Sequence, residues 1–184
     1  ASDGYNCGVC GRVCEQTQKC TEVHRPPAEL VPLGYAPHET ISTADGTIYW
    51  AVYGSFEGPA EIRRFQVEVD GATSLVATAP QVNLMVADGD DLVFSNWGDS
   101  VFRVPLDGQN AAPELIYQAA AEITGLWMRG GKIYVAAGSQ GVVRVDRTSR
   151  EVQSFAGREE IGAIGGDATH LYWIARIGDV FRLR

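Results

Sequence analysis

The side chains with which this 184-residue chain could build a reactive centre are three histidines, four cysteines and 23 carboxylates. His24, His38 and His170 stand far apart, with neither H-x-H nor H-x-x-x-H spacing, so no single strand or helix presents two of them to one metal ion. No G-x-S-x-G elbow or phosphate-cradling glycine loop occurs. Asp88, Asp90 and Asp91 lack the ligand set of a calcium loop, and Asp beside Gly at a tight turn already has a backbone reason. The sequence thus predicts no catalytic residue, no cofactor and no metal, and leaves catalysis only to remote residues brought together by folding.

The cysteines carry a different message. Cys7, Cys10, Cys14 and Cys20 form a C-x2-C-x3-C-x5-C cluster, and none follows. A segment this short cannot bury a core, so an even cysteine count predicts two disulfides, in any of three pairings. Zinc and iron-sulfur sites usually hold two ligand pairs apart across a folded spacer, which this spacing does not provide. The chain opens Ala1-Ser2-Asp3-Gly4 without methionine, the expectation for a mature exported protein after removal of its leader. The run Cys7-Gly8-Val9-Cys10-Gly11-Arg12-Val13-Cys14 resembles the short CGxCGxxC modules of some bacterial surface and secreted proteins, which implies location more than chemistry. Residues 21–28, with Pro26-Pro27, read as a stiff linker between this 1–20 module and a domain that begins at Glu29.

Composition narrows the partners. Fifteen Lys and Arg against 23 Asp and Glu give a net charge of -8, which repels a phosphate backbone and argues against nucleic acid. No apolar run approaches the roughly 18 residues of a membrane-spanning helix. Twenty-one glycines point to many tight turns.

The elements that must position any site emerge from a repeat. Ile48-Tyr49-Trp50, Leu92-Val93-Phe94, Ile133-Tyr134-Val135 and Leu171-Tyr172-Trp173 each follow a turn, namely Asp45-Gly46, Gly89-Asp90, Gly130-Gly131 and Gly166-Asp167. Each is followed by a second motif with a recurrent arginine, at Arg64, Arg103, Arg144 and Arg182. The interval is constant in three copies (92 to 103, 133 to 144, 171 to 182) and longer in the first, whose turn at 54–60 carries an insertion. Apolar stretches flank both motifs. A period of about 40 residues with four short β-rich runs per copy is the signature of propeller blades. The prediction is an all-β, four-bladed β-propeller over 29–184, with blades at about 39–79, 80–119, 120–156 and 157–184. The last copy ends after its third strand, and Glu29–Gly34 resembles the outer-strand run at Glu114. A strand at 29–34 is therefore expected to close the ring, with Pro32 tolerated at the edge.

Leu171-Tyr172-Trp173-Ile174 and Val104-Pro105-Leu106-Asp107-Gly108 resemble the YWTD blade of low-density-lipoprotein-receptor-type propellers across residues 39 to 184. Two departures stand out: that family normally has six blades, and no copy here keeps its Thr-Asp. The resemblance implies an extracellular propeller, with protein binding as its commonest use.

Strand alternation places Arg64, Arg103, Arg144 and Arg182 between sheets, where each is expected to pair with a carboxylate of an adjacent blade. The Tyr-Trp pairs are expected in the core. The second-to-third-strand hairpins and the connections between blades share one face, which gathers Tyr53, Phe56, Trp97, Asp99, Gln140 and Arg176 with Tyr35 and His38 as a candidate binding surface. The expected function is that of a secreted, non-catalytic propeller in cell-surface structure or protein recognition. Its partner is a protein or further copies of itself, in a fibre made by strand donation, with a carbohydrate as another possible ligand. The alternatives are an extracellular lyase or hydrolase acting on a sugar or peptide at the funnel, and half of an eight-bladed ring made by two copies.

Overall fold

A computed structural model of the chain describes residues 37–44, 46–53, 58–66, 73–107, 110–156, 160–167, 169–175 and 180–183; for 37–44, 156 and 180–183 the description is of the backbone. These lie in Leu33–Arg184, one of two units into which the chain divides, the other being Ala1–Pro32. The four cysteines, the linker 21–28, the segment 29–34, Tyr35, Phe56 and Arg176 fall outside the described residues.

Tight glycine turns produce a succession of antiparallel meanders. Sheet 1 contains β1 (Pro37–Ala44), β2 (Thr47–Tyr53), β3 (Ala60–Gln66) and β4 (Thr73–Ala79). Sheet 2 contains β5 (Met85–Asp88), β6 (Asp91–Ser95), β7 (Ser100–Pro105) and β8 (Glu114–Gln118), and sheet 3 contains β9 (Ile123–Arg129), β10 (Lys132–Ala137), β11 (Gly141–Asp146) and β12 (Val152–Ala156). Sheet 4 has three strands among the described residues, β13 (Ile161–Gly166), β14 (Leu171–Ala175) and β15 (Val180–Leu183). Gly46, Gly89 and Gly130 take φ of 71°, 59° and 55° in the first turn of their sheets, a left-handed backbone that matches the twist of a short hairpin.

The registers show that the repeat is structural. The recurrent arginine lies opposite the middle residue of the first motif in all four sheets: Arg64 across from Tyr49, Arg103 from Val93, Arg144 from Tyr134 and Arg182 from Tyr172. Between third and fourth strands the register slips at one recurring place, leaving Val76, Ile116 and Phe155 as extra residues of β4, β8 and β12. A bulge of this kind bends the outer strand and strengthens its twist.

Innermost strands stand side by side in sequence order, β1 beside β5, β5 beside β9 and β9 beside β13. Alternation along each second strand divides the core accordingly. Tyr49, Ala51 and Tyr53 of β2 pack with Leu92 and Phe94 of β6. Val93 faces the other way, onto Ile133 and Val135 of β10. Ala136, with the half-buried Tyr134, faces Leu171 and Trp173 of β14. Because both faces of β6 are covered, all five of its residues are buried, including the polar Asp91 and Ser95. Sheets 3 and 4 approach closely at two glycines. A Cβ on Gly125 would lie 2.7 Å from Ile164 Cγ2, and one on Gly166 would lie 2.4 Å from the Trp127 ring. Thr124, the extra residue of β9, turns its hydroxyl across this gap to donate to the Ile161 carbonyl at 2.6 Å.

Two aspartates hold turns, and their hydrogen bonds predict a loss of stability in acid. Asp146 accepts from Lys132 and from the N–H groups of Thr148 and Ser149. Asp167 accepts from the N–H groups of Thr169 and His170 and from the Tyr172 hydroxyl. The Lys132 bond chiefly holds the Asp146 carboxyl below the ordinary carboxylate range, and the Thr169 N–H chiefly does so for Asp167. A folded-state pKa below the unfolded one contributes stability that is complete above the unfolded value and is lost as pH falls through the folded one. Thermal melts are therefore expected to hold steady from neutrality down to about pH 4 and to decline below it. D146N and D167N should each flatten that decline, and melts independent of pH down to about pH 3 would contradict the assignment.

Candidate functional site

The hairpin face is built where second-to-third-strand turns meet the connections between sheets. Among the described residues, hydrogen bonds tie the two together. The Tyr53 hydroxyl, at the end of β2, donates to the Val82 carbonyl at 2.8 Å and accepts from the Val82 N–H at 2.6 Å. The Gly98 and Asp99 carbonyls accept from the N–H groups of Ile123 and Ala119. Gln140, in a 3-10 turn at Gly138–Gln140, accepts from the Ala120 N–H at 2.9 Å and donates to the Tyr117 hydroxyl at 3.0 Å. The connection at 119–123 is thus held from both sides.

These contacts revise the expected patch. Tyr53 is 7% exposed and fastens sheet 1 to sheet 2, so it offers no aromatic face to a partner. Gln140 is likewise engaged through both ends of its amide. Trp97 and Asp99 remain at the surface. Trp97 is 48% exposed on a turn shaped by Asn96, whose side-chain oxygen accepts from the N–H groups of Gly98 and Ser100. Asp99 accepts from Gln118 and Ser100, and the Gln118 bond leads in drawing its carboxyl below the usual range. His38 lies on β1, where the backbone alone is described, and Phe56, Tyr35 and Arg176 lie outside the described residues. On the same face, Glu122, Glu160 and Ser139 line a cleft of about 400 Å³ between sheets 3 and 4.

The recurrent arginines differ in their partners. Arg103 donates to Asp91 Oδ1 at 2.6 Å, within its own sheet rather than the adjacent one, and lies 3.8 Å from Glu114. The neighbouring sheet supplies the other cations. The β11–β12 turn brings Arg147 to 2.5 Å from Asp91 Oδ2 and Arg150 to 2.5 Å from Glu114. Arg64 instead donates to Ser74 and to the Leu106 carbonyl of sheet 2, and Arg144 donates to Gln153 while lying over the Phe155 ring at 5.2 Å. The expectation of a carboxylate at every position is corrected for Arg64 and Arg144, where neutral oxygens and a ring face satisfy the guanidinium. For Arg182 only the backbone is described. Among the described residues no group of three or more His, Cys, Asp or Glu could hold a metal ion, and no helix is long and apolar enough to cross a membrane.

No family model matches the sequence, and no curated protein does. Solved structures do. The computationally designed Ika4 protein superposes with a TM-score of 0.65 at 13% identity, over 85% of this chain and 97% of that one. BamB from Moraxella catarrhalis gives 0.59 at 16% identity, over 77% of this chain and 42% of that one. The WD40 domain of Toxoplasma gondii coronin gives 0.60 at 9% identity, over 78% and 42%. The chain therefore spans nearly all of the designed protein and less than half of the two natural ones. At these identities the likeness is one of fold, and that fold is of the β-propeller type.

Proposed function

We propose that the chain is an extracellular, non-catalytic propeller of four blades that serves cell-surface structure or protein recognition, and that it assembles with copies of itself through its last blade. The carrying observation is the edge of sheet 4. Three sheets have four strands, whereas β15 has no outer neighbour among the described residues. Such an edge is a row of unpaired N–H and C=O groups that recruits a strand. Residues 29–34, with their likeness to the β8 sequence, are the donor, in the same subunit for a closed ring and in the next for a fibre.

Two further features support this reading. Trp50 points to the face of β2 away from sheet 2 and yet is only 5% exposed, as a tryptophan covered by another layer would be. At the place in the repeat where Ala51, Ser95 and Ala136 are fully buried, sheet 4 carries Ile174, 45% exposed. An apolar side chain at a position that the next sheet covers elsewhere is suited to a subunit contact.

Electron microscopy and native mass measurement of the full chain, purified under non-reducing conditions, test the proposal. Beaded fibres or discrete oligomers are expected, and deletion of 29–34 should abolish them. Monomeric particles at all concentrations would overturn self-assembly, and assembly that survives the deletion would overturn strand donation.

A further inference from the structure

On the opposite face, sheets 3 and 4 frame a second cleft, of about 160 Å³. Its floor is a row of side chains in register across all four strands of sheet 3: Trp127 opposite Tyr134, Tyr134 opposite Arg144, Arg144 opposite Gln153. The row continues the arginine position of the repeat, but its inner member is a tryptophan where sheets 1, 2 and 4 have Ser42, Val86 and Gly165. Gly166 makes this possible, since any side chain there would collide with the indole. Trp127 and Tyr134 meet at 5.3 Å, and Tyr134 and Phe155 at 6.2 Å. Phe155 is the bulge residue of β12. Its counterparts Val76 and Ile116 are buried in the cores between sheets, whereas Phe155 lies beneath Arg144 as part of the cleft wall.

The charge of this cleft runs against that of the chain. Arg129 and Arg144 line it, His170 stands across from them, and among the described residues no carboxylate lines it, although the whole protein carries -8. Nothing among the described residues pairs with Arg129, and Arg144 has only the neutral Gln153 and the Phe155 face. In the gaps between earlier sheets the same position is filled by protein: Arg64 reaches the Leu106 carbonyl, and Arg103 shares Asp91 with Arg147. Asp167 is the nearby carboxylate of sheet 4, 3.6 Å from His170 Nδ1, but its oxygens are engaged by its own turn and by Tyr172. His170 is held through Nδ1 by Thr169, and no described residue bonds its Nε2.

Two guanidinium groups without a counterion among the described residues, an aromatic wall and a volume for one ring-sized body describe a site for a carboxylate carried on a ring. We propose that this cleft binds a uronic acid residue of an acidic polysaccharide. Arg129 and Arg144 hold the carboxylate, the aromatic row takes the C–H face of the sugar ring, and His170 Nε2 meets a hydroxyl. An aspartate or glutamate side chain offers the carboxylate but no flat C–H face for that wall. The site is independent of the hairpin face and of assembly at β15.

Titration calorimetry of the full chain tests this with four probes: sodium glucuronate, sodium galacturonate, glucose and N-acetylglutamate amide. At least one uronate should bind saturably and ten-fold or more tighter than glucose and N-acetylglutamate amide. R129Q and R144Q should each weaken it ten-fold or more. Arg129 is exposed and has no ion pair among the described residues, so R129Q is expected to melt as the parent does and separates lost binding from lost folding. Failure of both uronates to bind, binding of glucose or N-acetylglutamate amide as tight as that of the uronates, or unchanged affinity in R129Q would overturn the proposal.

Discussion

Replacing Asp91 with alanine is expected to cost about 3 kcal/mol and to lower the melting temperature by roughly 6–12 °C. Asp91 is 1% exposed, accepts from Arg103 at 2.6 Å and stands 2.5 Å from Arg147 of the next sheet. Its removal leaves two guanidinium groups facing each other across an interface without the charge that joined them. Both arginines retain partial access to water, with side chains 29% and 28% exposed, which holds the loss to the lower end of the range for a broken buried pair. The companion variant D91L/R103M/R147M removes all three charges in favour of apolar volume and should recover much of the loss, because a buried ionic cluster and a well-packed apolar one are often nearly equal in stability. Thermal melts of both variants provide the check. A shift below about 2 °C for D91A would mean that the pair contributes no more than a surface salt bridge.

Removal of one oxygen atom should have an effect of similar size at the first interface. Y53F keeps the ring in its core but takes away the partner of both the N–H and the C=O of Val82, which is itself fully buried. Stranding two buried backbone groups is expected to cost about 2–4 kcal/mol. Chemical denaturation read by tryptophan fluorescence would show a lower midpoint with an unchanged slope, as for a change in stability rather than in compactness. If Y53F and the parent unfold together, water has replaced the hydroxyl and the clamp is dispensable.

The repeat could be read from the chain because propeller strands are short, their turns need glycine or aspartate, and the spacing of Leu92 to Arg103 recurs at Ile133 to Arg144. Partners across interfaces could not. Tyr53 and Gln140 sit at hairpin ends, where a sequence looks the same whether a side chain extends into solvent or folds back to grip a connecting segment. Arg64 and Arg144 lie between sheets as the alternation requires, yet nothing in the alternation tells that Arg64 reaches the Leu106 carbonyl, remote in sequence, while Arg144 turns back onto Gln153 and Phe155 of its own sheet. The aromatic-arginine cleft did leave a trace. Trp127 stands where other copies have a small or aliphatic residue, and the following copy has Gly166 where the indole must fit. The pairing of an enlarged residue in one copy with a reduced one in the next could have been noticed once the copies were aligned.

The division of the core into separate layers, each shared by only two successive sheets, governs how the domain comes apart. In an open arc, unfolding is a zipper that starts at an end, since a terminal sheet has one interface to break and every interior sheet has two. The layer between sheets 3 and 4 is the smallest of the three described, so sheet 4 is where an open arc would fray. Joining the ends removes the free end altogether. Every sheet then has two neighbours, and a sequence of local openings becomes a single cooperative transition. The six-residue segment proposed to close the ring would in this way decide whether 150 or so residues behave as one thermodynamic unit or as a stack that loosens from its edge.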